Sequence, residues 1–146
     1  MQIDEKQLKK FILDSGLVKP EAFEAAEKKA EESKQKIGNV LLSEGKISES
    51  DLKRMEAFVV GIPFVDLSKQ KMDLEVLSLI PEAIARNYNI VAYKQSEKGL
   101  EVAMLDVDDL PVIDFVKKRL GIKILPRLTD ANSMKLVLVQ YRKSLQ

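Results

Sequence analysis

The chain has 146 residues, of which 45% are apolar and 32% are charged, and its formal net charge is +1. It contains no histidine, cysteine or tryptophan, which excludes thiol and imidazole chemistry, structural zinc sites and disulfide bonds. The near-zero charge gives no reason to expect nucleic-acid binding, and no apolar run approaches the roughly 18 residues that insert into a bilayer. We therefore expect a soluble, cytoplasmic protein with one domain or two small ones.

Residues 1–60 are predicted to be helical almost throughout, because apolar residues recur every three or four positions. The first helix ends at Gly16, and Pro20 opens the next one at a position where a missing N–H is tolerated. The second pair of helices is interrupted at Gly45 and resumes at Ser48, which is predicted to act as a cap. These features predict two successive helix–turn–helix units.

The two units are copies of one pattern, related by a constant offset of 29 residues. Gly16 aligns with Gly45 under this offset. The aligned apolar pairs are Leu8 with Ile37, Phe11 with Val40, Ile12 with Leu41, Leu13 with Leu42, Val18 with Ile47, and Phe23 with Leu52. Because one helix pair cannot bury its apolar face alone, the copies are predicted to pack as a unit of about four helices.

The sequence Gly61-Ile62-Pro63 ends the helical pattern and predicts a boundary between a helical domain, 1–61, and a small α/β domain, 62–146. In the second domain, strands are predicted at 89–93, 100–105 and 122–125, and helices at 74–79, 81–88, 108–120 and from Thr129 or Asp130 onward. The fold class is therefore α+β: a helical repeat followed by a small α/β layer on a mixed sheet.

Grouped carboxylates are the most enzyme-like feature, since they can hold Mg²⁺ or act as acid and base. They are Glu101, Asp106, Asp108, Asp109 and Asp114. Capping of a helix is the favoured interpretation, and a carboxylate-based enzyme is the alternative. No G-x-x-x-x-G-K-[ST] motif occurs, so the chain is not a P-loop ATPase by itself. We predict no catalytic residue, metal site or cofactor.

Cations cluster around Gly121. They are Lys117, Lys118, Arg119, Lys123 and Arg127. Such a run is typical of a solvated helix C-terminus, where positive charge is favourable. An acidic protein partner is the other use that this charge allows.

The sequence Lys36-Ile37-Gly38 opens the second copy of the repeat. A glycine in a first helical turn lets a flat ligand or another backbone approach closely, and a neighbouring cation can meet a phosphate. Close packing against the first copy is the favoured interpretation of the same glycine.

Several motifs occur in an order and spacing that characterise a family. They are Lys36-Ile37-Gly38-x-x-Leu41-Leu42-x-x-Gly45-x-Ile47, Gly61-Ile62-Pro63-Phe64-Val65-Asp66-Leu67, Leu79-Ile80-Pro81-Glu82, Ala85-Arg86-Asn87-Tyr88, Val102-Ala103-Met104 with Asp106, and Gly121 with Ile124 and Pro126. The chain thereby resembles the N-terminal region of type II secretion and type IV pilus assembly ATPases, including the related domain that binds cyclic di-GMP.

This resemblance implies a non-catalytic docking and regulatory module, or a stand-alone relative, of a bacterial protein-transport motor. The ATPase domains would then follow Gln146. In the family this region binds the cytoplasmic part of an inner-membrane platform protein. The resemblance thus implies a cytoplasmic location, peripheral to the inner membrane through that partner, without direct membrane insertion or nucleic-acid binding.

Some members of the family bind cyclic di-GMP through two copies of a motif that begins with Arg-Leu-Gly and ends in Gln. The candidate ligand residues implied here are Lys36, Ile37, Gly38, Leu41, Leu42 and Gly45. Lys36 replaces the Arg and Val59 the Gln; in the first copy Gln7-Leu8-Lys9 and Ala30 take those places. Because Lys does not reproduce the planar guanidinium and an apolar residue removes hydrogen bonds, we expect weak binding or none.

Overall fold

The computed structural model describes residues 3–106 and 110–144. In that part of the chain the elements are α1 Glu5–Ser15, α2 Pro20–Ser33, α3 Ile37–Ser43, α4 Glu49–Val60, α5 Leu74–Leu77, α6 Glu82–Tyr88, β1 Ile90–Ser96, β2 Gly99–Met104, α7 Leu110–Leu120, β3 Ile124–Leu128 and α8 Ala131–Ser144. This arrangement is the α+β fold predicted from the sequence. No helix among the described residues is both long and apolar enough to cross a membrane.

The four helices α1–α4 carry the two copies of the repeat. Helix α1 packs on α4, and α2 packs on α3. Aligned positions are buried alike: Ile12 and Leu41 are inaccessible to solvent, and Phe23 and Leu52 are almost so. The caps differ, because the Ser48 hydroxyl accepts a hydrogen bond from the Asp51 amide at 3.0 Å, whereas Lys19 caps α2 without a side-chain bond.

The apolar side chains form two cores. The repeat core includes Leu8, Ile12, Phe23, Leu41 and Leu52. The sheet core includes Ile90, Leu100, Met104, Leu128 and Met134. These two names are used below for the clusters that contain these residues.

Helix α4 contributes to both cores, since Leu52 lies in the repeat core and Ala57 in the sheet core. Its first turn is also bonded to the C-terminal part of the chain: the Glu49 carboxylate accepts from the Ala131 amide, at 2.8 and 3.0 Å. A carboxylate is favourable there because it faces the positive end of α8. The domain division at residue 61 remains a prediction, and α4 links the parts on either side of it.

The sheet has the order β1-β2-β3 and is mixed, as predicted. Strands β1 and β2 form an antiparallel hairpin, in which Ser96 pairs with Gly99. Strand β3 runs parallel to β2, and Phe64 forms an isolated parallel bridge to Leu128 beyond it. The segment 63–65 therefore lies beside the outer edge of the sheet.

Strand β3 differs from the prediction, because it occupies Ile124–Leu128 and not 122–125. Pro126 suggests a strand end, since it has no N–H to donate. The amide and carbonyl of Leu128 face the 63–65 segment, donating to Pro63 and accepting from Val65 at 2.9 Å each. Residues two apart face the same side of a strand, so the Pro126 nitrogen points away from β2 and costs no ladder bond.

The remaining boundaries differ by a few residues. Strand β1 continues to Ser96 and α5 ends at Leu77. Asp130, one of two predicted caps, holds the start of α8, because its carboxylate accepts from the Ser133 amide at 2.8 Å. The predicted start of α7 at residue 108 lies outside the described residues.

Gly99 is the position at which the hairpin tolerates no side chain. Its φ is +143°, and an added Cβ would lie 2.6 Å from the Lys123 carbonyl oxygen. That oxygen accepts a hydrogen bond from the Leu100 amide at 2.8 Å, so it cannot move away without breaking the contact between β2 and the chain entering β3.

We expect Gly99→Ala to lower the free energy of unfolding by about 2–4 kcal/mol, from backbone strain and the clash together. Gly16→Ala is the matched control, because Gly16 also has a positive φ of +75° but no atom within 4 Å of an added Cβ; its cost is about 1–2 kcal/mol. Urea denaturation of the two variants measures the difference, and equal losses would contradict the clash.

Candidate functional site

A cleft between the repeat and the end of β2 contains half of the predicted ligand residues. Its volume is about 620 Å³. We call it the repeat cleft; it is lined by Ile3, Glu5, Leu8, Lys34, Gln35, Lys36, Gly38, Asn39, Leu42, Leu52, Lys53, Glu56 and Asp106. Its walls are the starts of α1 and α3, the loop between α2 and α3, and one face of α4.

The predicted residues divide into two groups. Lys36, Gly38 and Leu42 line the repeat cleft. Ile37 and Leu41 belong to the repeat core, so they anchor the buried side of α3. Gly45 is exposed just after α3 with a φ of +69°, where it turns the chain and lies outside the cleft lining.

Gly38 is placed against α4. A Cβ at this position would lie 3.1 Å from a terminal methyl of Leu52, which is tighter than ordinary van der Waals contact. Close packing therefore explains why a glycine occupies position 38, and the helix that it packs against is α4 of the same copy. The expectation that Gly38 itself packs against the first copy was wrong, because its close contact is Leu52 of the second copy; elsewhere α3 does pack on α2 of the first copy.

The ligand positions that the family motif defines in the first copy contribute little to the cleft. Of the family positions named above, Leu8 lines it. Gln7 is exposed, and the Lys9 ammonium lies 3.2 Å from the Glu27 carboxylate. Ala30 is buried in the repeat core and Val59 packs against it. The positions where the family motif ends in Gln therefore support the core and do not face the cleft.

Charges of both signs meet in the cleft. The cations are Lys34, Lys36 and Lys53, and the carboxylates are Glu5, Glu56 and Asp106. Lys53 and Glu56 were not predicted as cleft residues, although they lie three residues apart on α4 and therefore share one side of that helix. To predict that Lys53 and Glu56 line the cleft, one must know that this side of α4 faces the start of α3.

Lys53 and Glu56 form an ion pair that is largely removed from solvent. Their charged groups are 3.3 Å apart, and the side chains are only 17% and 16% exposed. Burial raises the pKa of Glu56 above its ordinary value of 4.5, Lys53 partly offsets this rise, and the nearby Asp106 and Glu5 add to it. The positive charge of Lys53 is thus already neutralised within the cleft.

A second depression continues the cleft toward the sheet. Its volume is about 430 Å³. It shares Leu42, Lys53 and Asp106 with the repeat cleft and is further lined by Glu49, Asn87, Tyr88, Asn89 and Leu105. The end of α6, the residue before β1 and the residues after β2 therefore border the same extended surface as the repeat.

The predicted acidic cluster is not assembled in the described residues. Glu101 accepts a hydrogen bond from the Tyr93 hydroxyl at 2.9 Å and lies 3.6 Å from the Arg127 guanidinium. Asp106 borders the repeat cleft and Asp114 lies on α7, while Asp108 and Asp109 lie outside the described residues. Across residues 3–106 and 110–144, no three carboxylates are grouped as a metal site requires.

Comparison with known proteins identifies the family. The model of the MshEN domain matches residues 60–145, so the matched region begins at the end of α4 and excludes the candidate ligand residues. The type IV pilus assembly ATPase PilB of Myxococcus xanthus is 24% identical over 110 residues. That alignment covers 71% of this chain but only 19% of PilB, so the chain spans about a fifth of this relative.

Solved structures share the fold over almost the whole chain. A structure of MshE with cdg matches with a TM-score of 0.74 and 24% identity, covering 92% of this chain and 97% of that one. The N-terminal domain of XpsE matches with a TM-score of 0.60 and 20% identity, covering 94% and 95%. Together these matches confirm the resemblance to the N-terminal region of type II secretion and type IV pilus assembly ATPases.

The Glu56 carboxyl provides a pH test of the cleft. Because the pKa of Glu56 is raised in the folded state, the folded protein binds this proton more tightly than the unfolded chain does, and protonation stabilises the fold. This stabilisation is fully present below pH 4.5 and is lost as the pH rises through the folded-state pKa. NMR titration is expected to give a pKa above 4.5 for Glu56, and Lys53→Met should raise it further. Lys28→Met, a change on the exposed face of α2, should leave the pKa of Glu56 unaltered. A pKa at or below 4.5 for Glu56 in the wild type would contradict the burial of this carboxyl in the cleft.

Proposed function

The chain belongs to the MshEN domain family, and from that premise we propose that it is a docking and regulatory module of a type II secretion or type IV pilus assembly ATPase. The single observation that carries the proposal is the MshEN match over residues 60–145. The fold likeness to the N-terminal domain of XpsE supports it. In this proposal the module is not an enzyme, and nucleotide hydrolysis belongs to other domains of the motor.

The proposed partner is the cytoplasmic part of an inner-membrane platform protein. The module would then be cytoplasmic and would reach the membrane surface only through that protein. The two cores joined by α4 suit this role, because a rigid scaffold presents the same surface to a partner before and after binding.

Biolayer interferometry between the chain and the cytoplasmic domain of the platform protein from the same bacterium tests the proposal. We expect a saturable association in the micromolar range, since regulated contacts between modules are of modest affinity. The cytoplasmic domain of an unrelated inner-membrane protein is the control. No association at high micromolar concentration would refute docking to this partner.

Cyclic di-GMP binding in the repeat cleft is the second candidate function. The likeness to MshE with cdg and the lysines Lys34, Lys36 and Lys53 on the cleft wall favour it, because ammonium groups attract phosphates. Two features weaken it. Glu56 neutralises Lys53, and Glu5 and Asp106 bring further negative charge near the place where a dianion would lie.

Calorimetric titration with cyclic di-GMP decides between a retained and a lost site. We expect weak binding by the wild type, and about fivefold tighter binding by Glu56→Gln, since that change removes a negative charge and releases Lys53. Lys36→Ala should weaken binding, whereas Lys28→Ala, a matched change outside the cleft, should not. A sub-micromolar dissociation constant for the wild type would overturn the expectation of weak binding.

A further inference from the structure

Another concave surface lies at the far end of the sheet, beside the C-terminal end of α7. Its volume is about 700 Å³, and it is lined by Asp114, Lys117, Lys118, Gly121, Ile122 and Lys123. We call it the α7 groove. The three lysines are exposed, and within the described part of the chain none of them forms an ion pair.

The fold fixes the positions of these lysines. Helix α7 buries Ile113 and Val116 in the sheet core, so Lys117 and Lys118 project from the sides that remain uncovered. The chain then turns toward β3, and Lys123 reaches the groove from the opposite wall. Its carbonyl accepts a hydrogen bond from the Leu100 amide at 2.8 Å, which anchors that wall to the sheet.

An aromatic side chain borders the cationic surface. Phe115 is 54% exposed, and it lies three and four residues before Lys118 and Arg119, which places all three along one side of the helix. Arg119 is also exposed and has no ion pair among the described residues. Arg127, in contrast, faces Glu101 and does not belong to this surface.

We propose that the α7 groove binds an acidic segment of the platform protein, with an apolar side chain of that segment resting on Phe115. The charge of the groove is complementary to such a segment, and exposed aromatic residues beside cations are typical anchors of protein interfaces. This inference rests on the proposed docking function and assigns it a surface.

Asp114 distinguishes a protein partner from a lipid surface. Its carboxylate lines the same groove as the lysines and has no ion pair in the described residues. A layer of anionic headgroups would place only negative charge opposite it. A peptide can place an N–H donor or a cation there, so the mixed pattern favours a protein segment.

The test compares Lys117→Glu/Lys118→Glu with Lys28→Glu/Lys69→Glu, an equal change of net charge at exposed positions outside the groove. Binding to the platform protein's cytoplasmic domain is measured by interferometry at two salt concentrations, after thermal unfolding has shown that both variants are folded. We expect the groove variant to bind about tenfold more weakly and to lose salt dependence, and the control to change less than twofold. Phe115→Ser should weaken binding several-fold without altering the salt dependence.

Equal affinities for the wild type and both double variants would overturn the assignment of the groove while leaving the docking function intact. No binding by the wild type would refute the docking function and the groove assignment with it.

Phosphatidylcholine vesicles with about one third phosphatidylglycerol serve as a competing probe. Vesicle binding that Lys117→Glu/Lys118→Glu abolishes, together with unchanged protein binding, would assign the groove to lipid and overturn the proposal.

Discussion

The packing of α4 against both cores is the constraint that fixes the position of the repeat cleft. Leu52 and Ala57 are five residues apart on one helix, yet they pack into the repeat core and the sheet core, respectively. Because packed interiors tolerate little displacement, the repeat cannot shift relative to the sheet without exposing one of these contacts. The same helix carries Lys53 and Glu56 into the cleft, so the position of the cleft wall follows from this shared burial.

The sequence predicted what depends on local periodicity and missed what depends on tertiary packing. The 29-residue offset correctly pairs Phe23 with Leu52 as buried positions, because helical spacing and two glycines specify that pattern locally. The predicted β3 ends at residue 125, whereas the observed strand continues through Pro126. A proline fits there because its nitrogen faces away from β2, and this is known only when the parallel partner is known. Lys36, Gly38 and Leu42 were found through a motif, whereas Glu56 enters the cleft only through the packing of α4.

Although the net charge of the chain is near zero, its two candidate surfaces differ in how their charges are balanced. In the repeat cleft the buried Lys53 is paired with Glu56, because an unpaired charge removed from water is costly. In the α7 groove Lys117, Lys118 and Lys123 are exposed, and water satisfies them without a partner. A phosphate entering the cleft must therefore compete with an existing carboxylate, while an acidic segment at the groove displaces only water and counterions.

Strand β2 separates these two surfaces. Its first residues contact the groove wall through the bond between Leu100 and Lys123, and the chain leaving its last residue leads to Asp106 at the cleft. A strand of six residues spans roughly 20 Å, and its interior residues Val102 and Ala103 are fully buried. The groove and the cleft therefore share no lining residue and lie near opposite ends of β2. The proposed docking and the proposed ligand binding thus use separate surfaces, and we expect a variant that abolishes one to leave the geometry of the other in place.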